Sequence, residues 1–223
     1  MNFGLAFSYV FKDKGQWFKK IALPALCSLI PVIGPFILMG WGLKATKNVI
    51  DGNEEYSLPN LEFGADLGRG FMAFLITLIY NIVPVIFFGV SGALFGFGGG
   101  ADEGLMTVLF IGGGCVSLIG LLLSLLIAFM SMAGLANFVA KGKFGAAFDF
   151  KTIFGLLKKS FVSWLLVAVG YILAMGIIAP LGTIVCVIGA LLTSAYANAI
   201  TGHLLGQAYN KSVAPAAGEV EAL

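Results

Sequence analysis

Four long apolar runs constrain this chain more than any other feature of its sequence. None of them contains Asp, Glu, Lys or Arg, and they extend from Phe71 to about Gly92, Leu105 to about Met132, Phe161 to Ala179, and Leu181 to about Leu205. About twenty apolar residues allow a helix to cross the hydrocarbon core of a bilayer. With 59% apolar residues and a mean hydropathy of +1.00, the sequence predicts an all-α integral membrane protein with four transmembrane helices.

The positions of the charged residues predict the orientation of these helices. The loop from Gly92 to Gly104 carries only Asp102 and Glu103, whereas 141–160 and the tail carry lysines. Lysine and arginine are retained on the cytoplasmic side of a membrane. The sequence therefore predicts a multi-pass protein of the cell inner membrane with both termini in the cytoplasm.

A fifth apolar run, from Ile21 to Leu43, is interrupted by Pro31, Gly34 and Pro35. Lysines precede this run and follow it, so a single crossing would leave one basic cluster outside. Proline breaks a helix and glycine allows a tight reversal. We therefore expect a re-entrant hairpin that turns at Pro31, Gly34 and Pro35, although a proline-kinked spanning helix is the alternative for residues 21–43.

Two basic, amphipathic segments are expected to lie in the membrane interface as helices. In each of them the aromatic and aliphatic side chains share one side of the helix, and Asp149 is a candidate N-cap of the second. The residues expected at the membrane interface are Trp17, Lys19, Lys20, Lys158 and Lys159.

These elements divide a single membrane domain, 1–223, into seven consecutive parts. They are an interfacial helix over 1–20, the re-entrant hairpin over 21–50, a cytoplasmic loop over 51–70, a first helical hairpin over 71–140, an interfacial helix over 141–160, a second helical hairpin over 161–207 and a flexible tail over 208–223.

A short phrase occurs three times, as FGLAF at 3–7, FGADL at 63–67 and FGAAF at 144–148. Each copy precedes a pair of apolar helices, and an asparagine lies near the end of each returning helix, at Asn48, Asn137 and Asn198. The pattern predicts three units, each with an interfacial element and a helical hairpin.

The first third of the chain resembles a known family. The segments FGLAFSYVFKDKGQWFKK, LIPVIGPFILMGW and SLPNLEFGADLGRGF are similar to the prokaryotic membrane proteins of the domain of unknown function 4013 family. Trp41 stands where a tyrosine is expected. The resemblance implies an uncharacterised bacterial or archaeal multi-pass protein and leaves its activity open.

The sequence offers little for catalysis, metal binding or nucleic-acid binding. The four spans contain no Asp, Glu, Lys or Arg, His203 is the only histidine, and Cys27, Cys115 and Cys186 have no metal-ligand spacing. A net charge of +2 does not suggest a nucleic-acid partner. We therefore expect a protein that is not an enzyme and holds no metal or cofactor, with His203 in a structural role at a helix end.

Small and polar residues mark candidate surfaces for helix packing. Glycines at a spacing of four allow two helix backbones to approach closely. The candidate packing residues are Gly92, Gly96, Gly112, Gly113, Gly114 and Asn198. A flexible outer loop over 96–104 and a polar lining for a small permeant beside Asn198 are the alternatives.

Three functions are compatible with these features. The first is an accessory or scaffolding subunit that packs in the lipid bilayer against other membrane proteins or against further copies of itself. The second is a transporter or channel for a small neutral solute or lipid, which a re-entrant hairpin would suit. The third is a membrane-shaping protein, because amphipathic helices wedge one leaflet.

Overall fold

The computed structural model describes residues 1–13, 15–56 and 58–214, and all regular structure within these ranges is helical. The α-helices are α1 (Phe3–Ser8), α2 (Trp17–Cys27), α3 (Ile33–Ile50), α4 (Phe63–Gly98), α5 (Glu103–Lys141), α6 (Phe150–Lys159), α7 (Phe161–Tyr171), α8 (Ala179–Leu181) and α9 (Cys186–Val213). Tighter 3-10 turns cover Tyr9–Lys12, Phe144–Phe148 and Gly182–Val185, and a π-helical segment covers Ile172–Ile178.

Three helical segments of the described chain are long and apolar enough to cross a membrane, namely Phe63–Gly98, Glu103–Lys141 and Phe161–Val213. The prediction of an all-helical membrane protein is thus confirmed at this level. The third segment includes both of the last two predicted spans. Within it, Gly170 lies directly against the side chain of Leu204, so the chain folds back on itself. The count of four spans stays a prediction.

The chain forms two compact units. The first contains Met1–Phe74 and the chain from Met132 onward, and the second is Leu75–Ser131. In the first unit α3 packs along α9, and its buried side includes Ile37, Trp41 and Val49, each without solvent-exposed surface. Most of the candidate site described below belongs to this unit.

Glycines bring the backbone of α3 into direct contact with α4 and α9. A methyl group on Gly202 would overlap the carbonyl oxygen of Gly42, and one on Gly40 would overlap the carbonyl oxygen of Asp66. Such close helix packing is available only to residues without a side chain. The position of α3 therefore depends on glycine at residues 40 and 202, because a side chain at either would collide with a neighbouring backbone.

The second unit is a pair of packed helices, the parts of α4 and α5 between Leu75 and Ser131. The hydroxyl of Ser91 donates to the carbonyl oxygen of Gly113 at 2.8 Å, and the Phe95 and Phe110 ring centroids are 5.4 Å apart. Ser91, Gly98, Gly113 and Gly120 of this unit are buried, while many of its leucines, valines and phenylalanines are exposed. An exposed apolar surface of this kind is typical of contact with lipid or another membrane protein.

The helix α6 begins as its sequence predicts. Asp149 caps it by accepting hydrogen bonds from the backbone N–H and the hydroxyl of Thr152, and these bonds lower the pKa of the Asp149 carboxyl. The N-terminal segment is less regular than one helix over 1–20, because α1 ends at Ser8 and α2 begins at Trp17. Its residues Tyr9 and Val10 are buried in the first unit.

Each repeated phrase contacts one of the helices α3, α5 and α9. In the first phrase, the carbonyl oxygen of Phe7 accepts a hydrogen bond from the Tyr196 hydroxyl of α9. In the second, Asp66 lies against Gly40 of α3. In the third, the carbonyl oxygen of Ala146 accepts from the Asn137 amide of α5 at 2.8 Å. The first phrase, which follows no hairpin, thus contacts the last one.

The substitution Gly202→Ala tests the contact between α3 and α9. Because the new methyl group would meet backbone and not a movable side chain, we expect the free energy of unfolding to fall by about 1–3 kcal/mol. Gly155→Ala is the matched control, since no atom lies near that glycine of α6 and alanine favours a helix by roughly 0.5–1 kcal/mol. Thermal unfolding in detergent should shift in opposite directions for the two variants, and equal shifts would contradict the contact.

Candidate functional site

A group of buried polar side chains surrounds His203 of α9. His203 has no exposed surface, and Gln207, one turn further along the helix, is 3% exposed. The His203 Nε2 atom lies 2.8 Å from the carbonyl oxygen of Glu54, and its Nδ1 atom lies 3.1 Å from the Gln207 Nε2 atom. Residues four apart on a helix are neighbours, which places these two side chains together.

The hydrogen-bond partners of His203 determine which ring nitrogen carries the proton of the neutral ring. The Glu54 carbonyl can only accept a hydrogen bond, so the proton of the neutral ring is on Nε2, and Nδ1 accepts from the Gln207 amide. The same amide also donates to the Asn2 carbonyl oxygen at 3.1 Å, while Gln207 Oε1 accepts from the Asn2 N–H at 2.8 Å. Every polar atom of the His203 and Gln207 side chains therefore has a partner within the protein.

The aromatic ring of Tyr9 covers one face of the His203 ring. Tyr9 stacks on His203 with 4.3 Å between ring centroids, and its hydroxyl donates to the Ala199 carbonyl oxygen at 3.0 Å. The cluster thus joins α9 to the N-terminal segment and to the loop after α3. Its chemistry suits holding these segments together, because His203 offers neither ring nitrogen to a substrate.

A polar cavity of about 650 Å³ lies beside the cluster, lined in part by Asn2, Glu54, Gln207, Asn210 and Lys211. The Asn210 amide donates to the Val49 carbonyl oxygen at 2.8 Å. Within the described ranges, no group of three or more His, Cys, Asp or Glu side chains could hold a metal ion.

Sequence analysis identified His203 but missed its partners Asn2, Glu54 and Gln207. The spacing of four between His203 and Gln207 was a usable signal, since both are polar residues of an otherwise apolar helix. Asn2 and Glu54 could not be identified from the sequence, because they contact the cluster through backbone N–H and C=O groups, which any residue offers.

The residues expected to form the turn lie between α2 and α3. Pro31 and Pro35 are exposed, whereas Gly34 is buried where a methyl group would lie 2.5 Å from the Cys27 carbonyl oxygen. Between them the Ile33 N–H donates to the Pro31 carbonyl oxygen at 2.7 Å, with Val32 at φ 65° and ψ −51°. This geometry is a γ-turn, which reverses the chain within three residues.

The residues expected at the membrane interface lie at the start of α2 and the end of α6. Trp17 is half-buried, and Lys19, Lys158 and Lys159 are exposed. Lys20 differs from these lysines because it pairs with Asp13 and donates to the Leu58 carbonyl oxygen at 3.3 Å.

The residues expected to pack helices have different surroundings. A methyl group on Gly92, Gly96 or Gly114 would meet no described atom within 4 Å, and one on Gly112 would lie 4.0 Å from Leu94. On Gly113 it would lie 2.7 Å from the Phe95 ring, inside the second unit. Asn198 contacts Gly42 of α3, and its own amide donates to the Ser194 carbonyl oxygen at 3.0 Å.

Comparison with known proteins yields one family. The model of the family described as "Protein of unknown function (DUF4013)" matches residues 23–194. Searches of curated proteins and of solved structures gave no match. The matched range begins after the first of the three segments on which the resemblance rested, includes the other two, and extends through the later helices to residue 194.

The substitution His203→Leu tests the cluster. It leaves the Glu54 carbonyl and one hydrogen of the Gln207 amide unpaired, so we expect about 1–3 kcal/mol of destabilisation and faster amide hydrogen exchange in residues 53–56. Thr201→Val on the same helix is the control, because it removes only a bond from the Thr201 hydroxyl to Ala197 of its own helix. Unchanged exchange in both variants would contradict the role of His203 in holding this loop.

Proposed function

The chain belongs to the DUF4013 family, and we propose that it is a non-catalytic, multi-pass membrane protein that acts as an accessory or scaffolding subunit. Its second unit is the surface for a partner membrane protein. We place the protein in the inner membrane of a prokaryotic cell, with both termini in the cytoplasm.

The observation that carries this proposal is the open glycine surface of α4. Gly92 and Gly96 are exposed, and no described atom lies within 4 Å of the position of a methyl group on either. A glycine lowers the stability of a helix, and a glycine that faces only lipid makes no close helix contact that would offset this loss. Because spacing by four places both glycines on one side of α4, a partner helix could approach this backbone closely.

The chemistry of the polar cluster agrees with a role that is not catalytic. His203 and Gln207 bind only to other parts of the chain. The four apolar runs contain no Asp, Glu, Lys or Arg. Support for assembly comes instead from the second unit, whose large apolar side chains are exposed.

We also propose that residues 21–50 enter the membrane and return to the same side. An ion pair of 3.0 Å between Lys12 and Glu55 joins the segment before α2 to the loop after α3. A second contact, from Lys20 in the first turn of α2 to the Leu58 carbonyl oxygen, joins the start of the hairpin to the same loop. Groups in contact cannot lie on opposite faces of a bilayer of about 30 Å, so this pairing favours the re-entrant hairpin over a kinked span.

Cysteine labelling tests this topology. In a chain with its three cysteines replaced by serine, Ser8→Cys and Asn53→Cys should react with an impermeant maleimide from the same side of sealed vesicles, because both positions are exposed at the flanks of the hairpin. Glu103→Cys, at the start of α5, should react from the other side and serves as the reference. Labelling of Ser8→Cys and Asn53→Cys from opposite sides would support a single crossing.

The double substitution Gly92→Leu/Gly96→Leu tests the partner surface. The protein is extracted gently from its native membrane through a tag after Leu223, and the proteins that co-purify in fixed ratio are measured. We expect the leucine side chains to hold the partner helix away, and the partner to be lost by at least about tenfold, as a change of roughly 1.4 kcal/mol would give. The variant itself should fold, since both positions are open.

Val90→Leu is the control, because it enlarges an exposed side chain on another side of α4 and should leave the assembly intact. Gly113→Leu is unsuitable, since it would collide with Phe95 inside the unit. Purification of a protein without any partner, or an assembly that survives the double substitution, would contradict the proposal and favour transport or membrane shaping.

A further inference from the structure

We propose that the exposed side of α6 binds the head groups of anionic phospholipids through Lys151 and Lys158. The helix belongs to the first unit, where Ile153, Leu156 and Leu157 bury its other side. This inference is therefore independent of the partner surface on α4.

The exposed side of α6 combines aromatic rings with lysines. Phe150 is 50% exposed and Phe154 is 51% exposed. Residues three or four apart on a helix are neighbours, so Phe154 lies next to Phe150 and between Lys151 and Lys158, which are also exposed. Water would solvate the two lysines, but rings left in water lose the free energy of burial. A helix side that carries both kinds of residue is typical of the head-group region of a bilayer.

The contacts of α6 place it where a helix enters the membrane. A single residue separates it from α7, the first part of the membrane-capable segment Phe161–Val213. The Trp164 Nε1 atom of α7 donates to the Leu156 carbonyl oxygen at 3.1 Å, so the last turns of α6 lie beside the first turn of α7. The apolar side chains that begin α7, Phe161 and Val162, are exposed. Lipid that surrounds the start of α7 can therefore reach the rings of α6.

The charge on this side of α6 selects the head group. Lys151 and Lys158 form no ion pair with any acidic residue that the structure describes. Asp149 is the only acidic residue in 104–218, and it caps α6 and lies 3.8 Å from Lys141. The phosphate of an anionic phospholipid supplies the missing negative charge. A zwitterionic lipid is attracted less, because its own ammonium group opposes the lysines.

Quenching of tryptophan fluorescence by brominated lipids tests this surface in the full-length protein. The reporter is Phe154→Trp, combined with Trp17→Phe, because the other two tryptophans, Trp41 and Trp164, have no exposed surface. The variant Trp17→Phe alone gives the background from these two. Each protein is reconstituted in vesicles of phosphatidylcholine and phosphatidylglycerol, in which one lipid or the other is brominated.

We expect phosphatidylglycerol to be enriched beside the reporter by at least about fivefold over its bulk fraction, since each lysine near the surface adds about this factor. Lys158→Gln should lower the enrichment by about fivefold. Lys159→Gln is the matched control, because it removes the same charge from the next position of α6 but lies five residues after the reporter, on another side of the helix. It should change the enrichment by less than about twofold.

Three results would overturn the proposal. Quenching in proportion to the bulk fractions of the two lipids would mean that α6 meets lipid without selecting an anionic head group. Absence of quenching by either lipid would mean that this side of α6 faces water or protein. Equal effects of Lys158→Gln and Lys159→Gln would mean that net charge attracts the lipid without a site. None of these results bears on the partner surface, which is tested by co-purification with the α4 variants.

Discussion

The first unit depends on backbone contacts that α3 makes with two neighbouring helices. Gly42 meets Gly202 of α9 on one side, and Gly40 meets Asp66 of α4 on another. Inside a membrane, lipid tails solvate large apolar side chains as well as a protein does, so close packing supplies much of the drive for helix association. These glycines also allow α3, whose Lys44 and Lys47 suit it poorly to lipid, to be covered by protein.

The repeated phrases explain how the ends of the chain come together. The second phrase contacts α3, the third contacts the end of α5, and the first contacts α9 near the other end of the chain. The polar cluster lies beside this last contact, where Gln207 binds both hydrogen-bonding groups of the Asn2 backbone. His203 then joins α9 to the loop at Glu54. The polar cluster therefore joins residues that lie 205 positions apart in the sequence.

Hydropathy and charge were sufficient to predict the helical class, the membrane character, the capped start of α6 and a turn between α2 and α3. These features depend on local composition, which a sequence displays directly. The sequence did not indicate which glycines pack, because the spacing of glycines does not identify the helix that they contact. Gly202 contacts α3, whereas a methyl group on Gly92, in an equally regular pattern, would meet no described atom within 4 Å. Contacts to backbone atoms, such as those of His203 with Glu54 and of Gln207 with Asn2, cannot be predicted from side-chain identity, because every residue has a backbone carbonyl.

The two units place large and small residues in opposite ways. The first buries Trp41, Trp164 and Tyr9 completely, whereas the second has Ser91 and Gly113 inside and its large side chains outside. The second unit therefore gains little stability from a core of its own, and its outer surface must be completed by lipid or by another protein. A first unit fixed by backbone contacts tolerates few changes there, while the outer surface of the second can vary to match what it contacts. This difference is why we assign the partner surface to α4 of the second unit.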